Sequence, residues 1–105
     1  MAQFTVCQNK NPQTRSAVPF LLDIQNDLFD DLETRVVVPL CPASAIKGQA
    51  LRTLMPILEI EGERYVMLTP QMAGIPKSEL GAPVIQVERH RFEIIAAVDF
   101  LLTGV

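Results

Sequence analysis

The sequence predicts a mainly β domain whose last element is a single helix. Three observations carry this. All eight prolines lie at or before Pro83, and proline interrupts helices and central strands. Short alternating or β-branched runs, bounded by turn residues, fill the same stretch. Beyond Pro83 there is no proline, and residues 88–102 also lack glycine and carry apolar side chains at helical spacing.

The first strand is expected at residues 4–8, with Phe4 and Val6 on one face and Thr5 and Cys7 on the other. Residues 9–16 are polar, contain Pro12 and read as a loop. A second strand at 20–25 sets Phe20, Leu22 and Ile24 against Leu21, Asp23 and Gln25. Residues 26–33 are acidic, with Leu28 and Phe29 at their middle. The run Val36-Val37-Val38 marks a strand at 35–40, stopped by Pro39 and Pro42. Residues 43–54, with Gly48 inside, fit either a short helix or a loop. Strands at 57–60 and 65–68 flank Glu61-Gly62-Glu63, the strongest hairpin signal in the chain. A further short strand is expected at 70–75, and 76–83 reads as a connection.

The helix is expected over 88–102. Ala96-Ala97 favour it, and Ile94, Ile95, Val98, Leu101 and Leu102 form the stripe expected to face the sheet. Arg89 and Glu93 stand four apart and can pair weakly. Gly104 suits a helix stop. Asp99 lies beside the stripe near the helix C-terminus, where a negative charge is disfavoured by a few tenths of a kcal/mol. It reads either as a solvated edge carboxylate or as a contact residue for a partner.

One hundred and five residues make one domain, 1–105. At 49% apolar with a mean hydropathy of +0.24 the chain is no disordered segment. It is apolar enough for a small domain to suggest that a partner covers part of its surface. The net charge is −3, and the nine basic residues are scattered, which leaves no electrostatic footprint for nucleic acid. No run spans a membrane. Residues 1–10 lack the apolar region of a secretory signal, so a cytoplasmic protein is expected. Cys7 and Cys41 show no metal or redox spacing and read as reduced core thiols. His90, the only histidine, has no nucleophile or metal partner in the pattern. Asp30-Asp31 and Glu61/Glu63 lie in turns, where solvation is the ordinary explanation. Nothing calls for a catalytic residue, a metal or a cofactor, and a binding protein that works by contact fits best.

Four segments carry a resemblance. The opening MAQFTVCQNK, the central FLLDIQNDLFDDLETRVVVPL, YVMLTPQMAGIP and the closing EIIAAVDFLLTGV resemble the CcdB family of bacterial toxins, end to end. The spacing of the D-I-Q-N-D and R-V-V-V-P-L blocks is its most specific mark. The resemblance implies a small antiparallel barrel-like sheet with an added minor sheet and one C-terminal helix, the CcdB/Kid/MazF type. It implies a homodimeric, non-enzymatic toxin of a type II toxin–antitoxin pair. Such a toxin binds the DNA gyrase A subunit, traps the gyrase–DNA cleavage complex and is neutralised by a CcdA-type antitoxin. The family's gyrase contacts map here to Asp99, Leu102, Thr103, Gly104 and Val105, with Leu28 and Phe29 near the same surface. The better-known family ending is Trp-Gly-Ile, where this chain has Thr103-Gly104-Val105, so a typical aromatic anchor is absent. On this reading the helix is followed by a glycine hinge, an apolar tip and a free carboxylate. Two alternatives stand beside it: a ribonuclease toxin of the related Kid/MazF fold, which the acidic balance argues against, and a non-toxic relative that only binds antitoxin.

Overall fold

The computed structural model describes residues 2–46 and 51–104. Seven strands form one antiparallel sheet: β1 Thr5–Asn9, β2 Phe20–Asp23, β3 Thr34–Pro42, β4 Ile57–Ile60, β5 Glu63–Met67, β6 Ala73–Pro76 and β7 Leu80–Gln86. The order is β4-β5-β3-β2-β1-β7, with β6 also on β3. Among the described residues a single α-helix, α1 Arg91–Thr103, follows a 3-10 turn at Glu88–His90. The expected fold class is therefore the one found.

The sheet curls around one apolar core and α1 closes it. Phe4, Val6, Leu22, Val38, Leu40, Leu58, Ile60, Met67 and Val87 meet Ile94 and Ala97 of the helix there. The opposite face holds a smaller cluster of Cys7, Leu21, Val37 and Leu80. The alternation expected in the first strand is thus real, and both faces are covered. Cys7 and Cys41 are both buried.

β3 organises the sheet. One edge pairs with β2, from Phe20↔Leu40 to Asp23↔Val37. The other edge is shared: β6 takes Thr34 to Val37 and β5 takes Leu40 to Pro42. This explains why the strand runs through Pro39 instead of stopping there. The Pro39 carbonyl accepts from Leu68 N at 2.9 Å, on that shared edge. A residue's N–H and C=O point to the same side of a strand, so the missing N–H falls in the gap between β6 and β5 and no ladder bond is lost.

The β4–β5 hairpin is as expected. Glu61 and Gly62 take φ values of 52° and 82°, the positive pair that a two-residue type I′ turn requires. Three expectations are corrected. The strand expected at 70–75 is found as β6 but starts only at Ala73, after a 3-10 turn at Thr69–Gln71. The connection expected at 76–83 ends in β7, which pairs with β1. Pro83 sits inside β7 because β7 is an edge strand and its register shifts on both sides of Cys7. His90, not Arg89, meets Glu93, at 3.4 Å. Within 43–54, Ala43–Ala45 form a 3-10 turn, while 47–50 lie outside the described residues.

The helix stripe is also narrower than expected. Ile94 and Ala97 are buried, Ile95, Val98 and Leu101 are half-buried, and Leu102 is 68% exposed. The helix is apolar on more than one side, so hydropathy alone could not say which side the sheet covers. No helix among the described residues is long and apolar enough to cross a membrane.

Candidate functional site

Two exposed features hold the expected contact residues. The first is the last turn of α1. Asp99, Leu102, Thr103 and Gly104 are all exposed. The backbone stops there by the expected device: Gly104 is left-handed, at φ 76° and ψ 14°, and its N–H donates to the Phe100 carbonyl at 2.8 Å. The Thr103 hydroxyl donates to the Asp99 carbonyl at 2.7 Å. Thr103 thus folds back onto its own helix, where the better-known family ending has a bulky aromatic. Val105 lies outside the described residues.

The second feature is the turn between β2 and β3. Asp27–Phe29 form one 3-10 turn, capped by the Asn26 carboxamide oxygen, which accepts from Leu28 N at 2.8 Å. The turn holds Leu28 81%, Phe29 53% and Leu32 52% exposed. Fully burying one such side chain is worth about 1.5–3 kcal/mol, so three of them left in water beside one turn form an exposed apolar patch. The structure therefore presents Leu28 and Phe29 on one element and Asp99, Leu102, Thr103 and Gly104 on another. The hydrogen bond from Thr103 ties two members of the helix group together.

Composition and motif reading missed what stands behind the turn. Arg35 and Asp23 are both fully buried and form a bidentate pair: Nε donates to Oδ2 at 2.8 Å and Nη2 to Oδ1 at 3.0 Å. Nη2 also donates to the Gln25 carbonyl at 3.2 Å, and Nη1 to the Asp30 carboxylate at 2.9 Å. Asp30, expected to be merely solvated, is thus half drawn into the network. Gln25 links both sides: its Nε2 donates to the Phe29 carbonyl at 2.8 Å and its Oε1 accepts from Val36 N at 3.0 Å. The D-I-Q-N-D and R-V-V-V-P-L blocks are this network written in sequence. Asp23 and Gln25 come from the first block, whose Asn26 caps the turn, and Arg35 opens the second.

At the chain's start, Phe4 is buried at a φ of 67°, a conformation costly for a bulky side chain. Its N–H donates to the Asp23 carbonyl, and the Arg91 guanidinium lies 5.5 Å from its ring centroid. Gln3 N donates to the Asp27 carboxylate at 2.7 Å. The N-terminal residues thus brace both this turn and the start of α1.

Burial pushes the thiols of Cys7 and Cys41 above their ordinary value, away from reactive thiolate. Among the described residues no three His, Cys, Asp or Glu side chains are grouped to hold a metal ion.

Comparison with known families agrees with the motif reading. The family model described as CcdB protein matches residues 3–104 of the 105, which takes in β1 to β7, the Arg35 network and all of α1. The chain belongs to the CcdB family of toxin–antitoxin toxins.

Proposed function

We propose that this chain is a type II toxin that binds the DNA gyrase A subunit and traps the gyrase–DNA cleavage complex. It acts in the cytoplasm as a homodimer and by contact, without catalysis or cofactor, and a CcdA-type antitoxin neutralises it. The observation that carries the reading is the last turn of α1. Leu102 stands 68% exposed on a helix whose Ile94 and Ala97 are buried, next to exposed Asp99 and a left-handed Gly104. Apolar surface presented at a fixed helix end suits a protein target. A two-fold dimer would offer two such ends to a two-fold partner. The net charge of −3 favours an antitoxin segment rich in Lys or Arg.

The ribonuclease alternative needs cations to hold RNA phosphates. Arg35 is buried in its carboxylate pair and Arg91 lies over Phe4, which removes two of the nine basic residues from that task.

Binding to purified gyrase A subunit tests the proposal. Deletion of residues 103–105 should abolish binding and leave the melting temperature nearly unchanged, because Thr103 and Gly104 are exposed. Thr103→Trp should tighten binding by restoring an aromatic anchor. A tip deletion that binds as well as the intact chain would refute the assignment of this surface.

A further inference from the structure

The ionic cluster behind the β2–β3 turn contains more than the fold requires. One carboxylate neutralises one guanidinium, and Asp23 does this for Arg35 through two hydrogen bonds inside the protein. The second carboxylate, Asp30, is half-exposed and belongs to the turn itself. It takes the one guanidinium nitrogen that Asp23 leaves open, Nη1 at 2.9 Å. Lys77 reaches the same residue from the β6–β7 junction. Its Nζ donates to the Asp30 carbonyl and lies 3.9 Å from the carboxylate, and its own N–H donates to the Glu33 carbonyl at 2.9 Å. Asp30 is therefore gripped from within by β3 and from the side by the junction. What it holds is the segment that carries Leu28, Phe29 and Leu32 into solvent.

We infer that Asp30 is a positioning residue for the partner-binding surface. Clamped by Arg35 and Lys77, it locks the turn in the shape that presents Leu28 and Phe29 to the gyrase A subunit. The inference rests on the gyrase reading above. An exposed apolar side chain on a loose turn loses conformational freedom when it binds, whereas a turn already fixed does not. The turn's own carboxylates, Asp27 and Asp31, with Glu33 beyond, suit a partner patch that is apolar at its centre and basic at its rim. A DNA-handling enzyme offers such basic surface.

The test uses the full chain as wild type and as Asp30→Asn, Asp30→Glu and Lys77→Ala, with Glu59→Gln on β4 as a charge-matched control. Melting temperature, the dissociation constant for immobilised gyrase A subunit and amide hydrogen exchange are measured on each. Asp30→Asn should keep its melting temperature within a few degrees, because the Arg35–Asp23 pair is untouched. It should bind gyrase A about tenfold more weakly, the effect of losing one charge-assisted contact. The Phe29 amide, bonded to the Asn26 carbonyl at 3.0 Å, should exchange about tenfold faster, while core amides such as Val38 stay protected. Lys77→Ala should move in the same direction, Asp30→Glu should recover part of the binding, and Glu59→Gln should match wild type. Unchanged Phe29 exchange in Asp30→Asn would overturn the lock. Unchanged affinity, with Leu28→Ala binding weakly, would overturn its link to recognition. If wild type fails to bind gyrase A, the gyrase reading falls and the surface assignment with it, while the exchange rates still decide whether Asp30 holds the turn.

Discussion

Replacing Asp23 by alanine should be among the most destabilising single changes in this chain, though it removes no apolar contact of note. The Asp23 carboxylate accepts hydrogen bonds from Arg35 Nε at 2.8 Å, Arg35 Nη2 at 3.0 Å and Gln25 N at 3.0 Å. Both charged side chains are fully buried, so water cannot take over the vacated positions. Removing Asp23 leaves the buried Arg35 charge facing only the half-exposed Asp30 carboxylate, and breaking a buried pair costs about 3–5 kcal/mol. Domains of this size are stable by about 5–15 kcal/mol, so roughly a fifth or more of the total is at stake. With a urea slope of about 1–3 kcal/mol/M, the unfolding midpoint should fall by at least about 1 M. Protein concentration must be matched between samples, because dimer formation would add to apparent stability. Asp23→Leu combined with Arg35→Met should recover most of the loss, since an apolar pair of similar volume replaces a buried ion pair at little cost. A loss under about 1 kcal/mol for Asp23→Ala would refute the view that Arg35 is a buried charge held by this carboxylate.

Ile94→Ala should cost about 2–5 kcal/mol through lost burial and a cavity beneath α1, whereas Leu102→Ala should barely move the melting temperature; equal costs would contradict the observed facing of the helix. Gly81→Ala should destabilise by about 1–3 kcal/mol, because the new Cβ would stand 2.6 Å from the Gln8 carbonyl oxygen and force β7 away from β1; a neutral thermal melt would show that this edge yields freely. Cys7 and Cys41 should resist alkylation at pH 8 in the folded chain and react quickly in urea. Their thiols are raised by burial above the ordinary 9.0, so the folded state holds its protons longer than the unfolded one. That contribution is complete below about pH 9 and should be lost as pH rises through the folded values; stability that climbs from pH 9 to 10.5 would contradict it.

Local signals in the sequence specify some elements fully. The β4–β5 hairpin follows from Glu61-Gly62 between alternating runs, and α1 from a proline-free apolar stretch that ends at Gly104. β7 was hidden because an edge strand needs neither strict alternation nor freedom from proline, and Pro83 reads as a break until β1 is seen beside it. Pro39 misled in the same way, since only the handover from β6 to β5 leaves room for its missing N–H. A helix with several apolar sides does not declare its inward one, and Leu102 therefore fits the expected core stripe yet stands exposed.

The Arg35 network is the instructive miss. Charged residues are normally taken as surface, and no local pattern shows that Arg35 and Asp23 are buried. Pairing of β2 with β3 would have supplied the signal. It sets Asp23 opposite Val37, so Arg35, two residues before Val37, shares the face of Asp23 at diagonal reach. The apolar pair Leu28 and Phe29 was visible in the sequence, and its exposure became intelligible only once the ionic clamp behind it was seen.

The most direct test of the central claim is a cleavage-complex assay with purified gyrase, ATP and supercoiled plasmid, stopped with detergent and protease. The intact chain should accumulate linear plasmid, and the variant lacking residues 103–105 should not, at equal concentration and equal melting temperature. Linear DNA at the same level with both proteins would contradict the helix-tip assignment. No linear DNA with the intact chain at saturation, alongside degradation of added RNA, would contradict the gyrase account and favour the ribonuclease alternative.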